Sequence, residues 1–172
     1  AARLEPQKGV GAFLRAAPLV LKAYPRTLFL VAGSGALRAD LEARCRELGI
    51  AEAVRFLGDE EHMPSFYHAL DVFALASLWE GMPYAILEAQ ASGLAVVATA
   101  TPGARALIQP GETGTLVKLD DPDGLASALC TYLGDERLRE RVGRRSRETV
   151  NHHHTADQWA DRLADLYRTL KR

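Results

Sequence analysis

Two short, nearly unbroken apolar runs, Asp71 to Ala76 and Leu94 to Ala98, flank a stretch in which good helix formers extend from Tyr84 to Ala91 and stop at Gly93. Runs of this kind read as parallel strands buried on both faces, joined by a loop and a helix. The same alternation fills the rest of the chain. Val10, Phe13, Leu14, Ala17, Val20 and Leu21 recur at helical spacing, and Thr27–Ala32 and Val54–Gly58 read as strands. Between these two strands a helix is expected from about Leu37 to Leu48, and a short one follows from Pro64 to Ala69. Thr101-Pro102-Gly103 opens another short helix. From Asp121 onward the pattern is helical, with apolar Leu125, Leu129 and Leu133, a charged segment from Asp135 to Thr149, and a terminal helix from Ala156 to Leu170. Strand and helix in alternation predict an α/β fold, a Rossmann-like, mostly parallel sheet with helices on both faces.

In such a fold, ligands bind beyond the carboxyl ends of the strands, where the following helix points its free N–H groups into the crevice. The loop Glu80-Gly81-Met82-Pro83 and the helix start Tyr84-Ala85 fall at that place, with Glu88 eight residues after Glu80. A carboxylate close to phosphate would repel it, so these two glutamates suit paired hydroxyls, as a sugar or a ribose offers. The ordinary alternative is a solvated loop residue and a surface helix residue. Arg3 and Lys8 bracket a proline turn at a strand end, placing two cations where a pyrophosphate would be stabilised; near a terminus they read equally as solvated charges. Gly33 and Gly35 permit close backbone approach, to a ligand or merely within a tight turn. Arg38 stands where a dinucleotide fingerprint would need its third glycine, which argues against a nicotinamide-dependent dehydrogenase.

Composition narrows the classes further. At 172 residues, 48% apolar and 25% charged, the chain has the proportions of one ordinary globular domain. Its net charge of −1 gives no bulk electrostatic case for nucleic acid or an anionic membrane. No apolar run reaches membrane-spanning length, and Ala1-Ala2-Arg3-Leu4 does not read as a signal peptide. Cys45 and Cys130 are far apart and read as free thiols in a reducing compartment. His152-His153-His154 are adjacent on a helix and therefore diverge, a poor arrangement for one metal ion.

The stretch Glu-Gly-Met-Pro-Tyr-Ala-Ile-Leu-Glu-Ala at residues 80–89, followed by Gly93 and the Val96-Val97-Ala98-Thr99 strand, resembles the signature of the group 1 glycosyltransferases. The resemblance extends from Arg3-Leu4 to the terminal helix and implies the C-terminal, donor-binding half of a retaining enzyme of the two-domain GT-B fold. It assigns residues 1–172 to one nucleotide-sugar-binding Rossmann-like domain, with no counterpart of the N-terminal acceptor domain, and with a strand leading into Arg3 of which only the end is present. By the same resemblance Arg3, Lys8 and Glu80 are the catalytic candidates, the cations on the diphosphate and Glu80 facing the donor sugar, while Glu88 holds the ribose hydroxyls. Gly33, Gly35, Phe56, Leu57, Gly58, Gly81, Met82, Pro83, Tyr84 and Ala85 are the remaining donor-binding candidates. Phe56 reads equally as core, and Met82-Pro83 departs from the Phe-Gly of many members, removing one backbone donor.

The implied activity is transfer of a hexosyl group from a UDP- or GDP-sugar to an acceptor, as in polysaccharide biosynthesis, with no metal or other cofactor required. The implied partners are the nucleotide sugar and the N-terminal Rossmann domain, without nucleic acid. The implied location is cytoplasmic, including the cytoplasmic face of a membrane reached through the other half. Two readings from other classes stay open: a nucleotide-sugar binding module inactive on its own, and an epimerase-like domain, against which the spacing of the glutamates speaks. A third is a non-enzymatic scaffold built on the terminal helix, whose face of Trp159, Leu163, Leu166 and Leu170 is apolar.

Overall fold

The computed structural model describes residues 2–170. In chain order its elements are helix α1 (Val10–Ala23), strand β1 (Phe29–Ala32), α2 (Arg38–Glu47), β2 (Val54–Gly58), α3 (Met63–His68), β3 (Val72–Leu75), α4 (Tyr84–Ala91), β4 (Ala95–Thr99), α5 (Pro102–Leu107), β5 (Thr115–Val117), α6 (Pro122–Gly134), α7 (Glu136–His153) and α8 (Ala156–Leu170). Every strand pair is parallel: β1 with β2, β3 with β4, and β4 with β5. The expected single sheet is thus divided into a two-stranded and a three-stranded sheet, with β1 and β3 as facing edges.

Strand β4 shows why the alternation of strand and helix folds this way. All five of its residues are buried, and successive side chains of a strand point to opposite faces. Ala95 and Val97 pack with Leu14, Ala17 and Val20 of α1 and Leu125 and Leu129 of α6. Val96 and Ala98 pack with Phe66 and Tyr67 of α3, Ile86 and Ala89 of α4 and Leu107 of α5. A strand flanked by helices on both faces needs the unbroken apolar run seen in the sequence.

The later helices begin at side-chain caps that satisfy their first free N–H groups. Thr101 Oγ1 accepts from the Ala104 N–H at 3.2 Å, Asp121 from Gly124 at 2.8 Å and Asp135 from Leu138 at 2.9 Å. Helix α7 packs back against α4 and β4, and its Gly143 touches the Gly93 carbonyl so closely that no Cβ fits between them. Helix α8 differs from the others in burying none of its residues; Trp159, Leu166 and Leu170 are exposed, as its one-sided pattern allows. No described helix is long and apolar enough to cross a membrane.

Because the Gly143 contact is backbone on backbone, neither side can yield without moving a helix. Gly143→Ala is expected to cost about 2 kcal/mol and lower the thermal midpoint by about 4–8 °C; a calorimetric scan checks it.

Candidate functional site

Parallel pairing places the carboxyl ends of the strands at one edge of each sheet, and the candidate residues lie in the loops that leave them. The segment before α1 is stitched to the loop after β3. The Gln7 carbonyl accepts from the Leu78 N–H at 2.8 Å, and Gln7 Nε2 donates to the Trp79 carbonyl at 3.0 Å. Between them Gly9 adopts a left-handed φ of 60°, and a Cβ there would collide with the Ala76 carbonyl. This seam brings together two residues 72 positions apart: Lys8 Nζ donates to Glu80 Oε1 at 2.6 Å.

Ser77 Oγ donates to the same oxygen at 2.8 Å. Ser77 is itself fully buried, and its carbonyl accepts from the Thr99 hydroxyl. The side chains of Lys8 and Glu80 are only 18% and 8% exposed, so this pair is far better shielded from solvent than a surface ion pair. One carboxylate oxygen is thereby saturated. Among the described residues Oε2 has no hydrogen-bond partner and is available to a hydroxyl, while Lys8 retains two N–H donors.

Glu88 is held by different means. Tyr67 OH donates to its Oε2 at 2.7 Å. Tyr67 is 2% exposed and sits edge-on between Phe66 and Phe73, with ring centroids 5.4 and 5.6 Å away. Burial, then the hydrogen bond to Glu88 and its charge, push the Tyr67 phenol well above its ordinary value. It therefore remains a proton donor, and among the described residues the second oxygen of Glu88, an exposed residue, has no hydrogen-bond partner.

Arg3 is separate from this cluster. Its guanidinium is 68% exposed and paired with Glu5 at 3.0 Å, a contact of small energetic weight, and it lines a shallow cleft with Gly33, Ser34, Asp59 and Glu60. Gly33 and Gly35 adopt φ of 124° and 153°, and the close approach they permit is occupied by the chain's own backbone at Ala2 and Leu4. Gly58 has φ of 77°, and its carbonyl accepts from Gly33 N–H at 2.6 Å. Phe56 packs partly against the core beneath Arg38, whose guanidinium lies 6.0 Å from the ring centroid, while Leu57 is exposed.

Within the loop ahead of α4, Met82 and Tyr84 are exposed and Pro83 is buried at the cap position without a side-chain cap bond. Ala85 is half-buried. Gly81 lies against α5: its carbonyl is 2.5 Å from where a Gly103 Cβ would be, and the Gly103 N–H donates to the Glu80 carbonyl at 3.1 Å. The three histidines, two at the end of α7 and His154 at its C-cap, are exposed, and no three His, Cys, Asp or Glu side chains are grouped as a metal site among the described residues.

Sequence reasoning missed Ser77, Thr99 and Tyr67. Ser77 directly follows the apolar β3 run, where a buried polar residue demands a partner; Tyr67 carried no local signal.

Parallel strands, helices on both faces and a helix start at the carboxyl edge define a Rossmann-like domain of the kind found in GT-B glycosyltransferases. The chain belongs to the family of glycosyl transferases group 1, whose model matches residues 1–135. A D-inositol 3-phosphate glycosyltransferase of Corynebacterium urealyticum is 37% identical over 98% of this chain and 42% of its own length. An Escherichia coli UDP-Gal:alpha-D-GlcNAc-diphosphoundecaprenol alpha-1,3-galactosyltransferase is 32% identical over 96% of this chain and 43% of its own. Among solved structures, the C-terminal domain of a group 1 family glycosyl transferase from Francisella tularensis superimposes with a TM-score of 0.81 at 29% identity, covering 90% of this chain and 83% of that one. The chain thus spans half or less of the length of the curated relatives it matches.

Gly9→Ala combines an unfavourable φ with a clash against Ala76 and is expected to destabilise by about 2–3 kcal/mol, measurable as a lowered denaturant midpoint. Tyr67 has a second, pH-dependent signature. A raised phenol pKa means that its stabilisation is complete below the unfolded value near pH 10 and is lost as pH rises above it. Tyr67→Phe should cost about 1 kcal/mol at neutral pH and flatten the alkaline decline of stability, read from urea melts between about pH 8 and 11.

Proposed function

We propose that this chain is the donor-binding half of a retaining glycosyltransferase that uses a nucleoside diphosphate sugar. The observation that carries the reading is the half-buried Lys8–Glu80 pair at the loop that leads into α4. Pairing with Lys8 neutralises Glu80, removing the repulsion that a lone carboxylate would present to a diphosphate. Oε2 of Glu80 then accepts from a sugar hydroxyl while the remaining Lys8 protons, Arg3 and the N-terminus of α4 meet the phosphate oxygens.

Transfer breaks the bond between the sugar carbon and the diphosphate oxygen and joins that carbon to an acceptor hydroxyl oxygen, whose proton passes to the departing diphosphate. Negative charge develops on the departing oxygen, and preorganised cations lower the barrier without further rearrangement. Glu88, fixed through one oxygen by Tyr67, offers the other to the ribose hydroxyls. Gly33, Gly35, Phe56, Leu57, Gly58, Gly81, Met82, Pro83, Tyr84 and Ala85 form the surrounding donor cleft in this reading. The acceptor, and contact with a membrane face from the cytoplasmic side, belong to a second domain.

A second reading is favoured by the chain's coverage of half or less of each curated relative: by itself it is a nucleotide-sugar binding module. Half a cleft neither excludes water nor positions an acceptor. Assaying transfer with and without an added N-terminal half separates the two readings.

Thermal shift with UDP, GDP and ADP and their common sugar conjugates tests the donor site directly. A nucleotide at about a hundred times its dissociation constant should add roughly 2.7 kcal/mol and raise the midpoint by several degrees, an effect lost in Arg3→Ala and Glu88→Ala. No shift with any of them counts against a donor site in this chain. In the two-domain enzyme Glu80→Gln should reduce turnover far more than nucleotide affinity; an equal collapse of both overturns the assignment of Glu80 to the sugar.

A further inference from the structure

Helices α4 and α5 contribute apolar side chains to one core cluster, Ile86 and Ala89 from the first and Ala104 and Leu107 from the second. Gln90 of α4 is the polar exception. It is 1% exposed, and its Nε2 donates to the Leu107 carbonyl at 3.1 Å. Leu107 ends α5, and the last carbonyls of a helix have no partner within it. The other amide atom of Gln90, Oε1, is buried with no hydrogen-bond partner among the described residues. Burying an amide oxygen without a donor costs free energy that a methionine or leucine of similar size would not. As a space filler Gln90 is therefore a poor choice, and the bond to Leu107 is what sets it apart.

That bond closes a ring of contacts around the candidate site. Helix α5 is only six residues long, so a hold on its last carbonyl also governs where its first turn lies. There the Gly103 N–H donates to the Glu80 carbonyl at 3.1 Å. A Cβ on Gly103 would stand 2.5 Å from the Gly81 carbonyl oxygen and 2.8 Å from Pro83 Cδ, so α5 and the 80–83 loop are in direct contact. Pro83 is in turn the N-cap of α4, the helix that carries both Glu88 and Gln90. The ring thus runs from α4 through Gln90 to α5, through Gly103 to the loop, and back to α4. Among the described residues Gln90 makes the one side-chain hydrogen bond between the two helices.

We propose that Gln90 is a positioning residue for Glu80: by holding the end of α5 it keeps Gly103 on the Glu80 carbonyl and so sets where Glu80 stands relative to Glu88. Lys8 and Ser77 hold one oxygen of the Glu80 carboxylate, whereas this ring holds its backbone. The consequence for a ligand rests on the donor-site reading, in which Glu80 accepts from the sugar and Glu88 from the ribose. Loosening the ring then weakens the hold on the sugar and spares the nucleotide.

The test uses this chain with Gln90→Met and Gln90→Leu, two apolar side chains of similar size. Loss of the bond and removal of the unpartnered oxygen offset each other, so both thermal midpoints should stay within about 4 °C of the parent, showing that both variants fold. Exchange of the Gly103 amide should accelerate at least about tenfold, while the Val96 and Val97 amides of β4 keep their rates. In calorimetric titrations with UDP, GDP, UDP-glucose and GDP-mannose, the affinity that the sugar adds to its nucleotide should fall at least about fivefold, with nucleotide affinity unchanged within about twofold. Unchanged Gly103 exchange in both variants overturns the proposal. So does acceleration of Gly103 and β4 together, which marks a general loosening, and so does faster Gly103 exchange with the contribution of the sugar intact. If the parent chain binds none of the four ligands, the donor reading falls, and Gly103 exchange alone decides whether Gln90 holds α5 on the Glu80 loop.

Discussion

The approach of Gly9 to the Ala76 carbonyl is the contact on which the site depends. With no side chain at that position and a left-handed φ, the segment carrying Lys8 lies flat against the end of β3, and two hydrogen bonds at Gln7, one accepted from Leu78 and one donated to Trp79, lock it there. Only then do Lys8, Ser77 and Glu80 converge on a single carboxylate oxygen. Burying such a pair removes hydration from both ions, and the compensation comes from geometry and the extra donor rather than from charge alone.

That local arrangement rests in turn on the two-faced core. β4, buried throughout, is held between α1 and α6 on one side and α3, α4 and α5 on the other. The loops reaching the crevice are therefore anchored at both ends by rigid elements, and the 80–83 loop is further pressed against α5 through Gly103. Tyr67 makes the same point for Glu88: a side chain from the core, rather than from the surface, sets the orientation of an exposed carboxylate.

Much of the fold was legible because its signals are local. The limits of α4 follow from helix formers between Pro83 and Gly93, and β2 spans the residues its apolar and aromatic run indicates. β1 begins two residues later than Thr27 because Thr27 is engaged in a turn, its N–H and hydroxyl both bonded to the Tyr24 carbonyl. What pattern could not reveal is pairing across long separations. The division of the sheet, the Lys8–Glu80 bond and the Tyr67–Glu88 bond all join segments whose proximity is decided by topology. Gly33 and Gly35 were legible as points of close approach, while the backbone of Ala2 and Leu4 that fills their space was not.

The 72-residue separation of Lys8 and Glu80 also bears on the order in which the molecule acquires competence. Helices and adjacent strand pairs close short loops and can form early, whereas this ion pair must wait until the three helix–strand pairs between its partners have been gathered in. A partly assembled chain therefore holds secondary structure without the cation–carboxylate cluster. The cation–carboxylate cluster at this edge becomes a late checkpoint of folding, present only in molecules whose distant halves have already met.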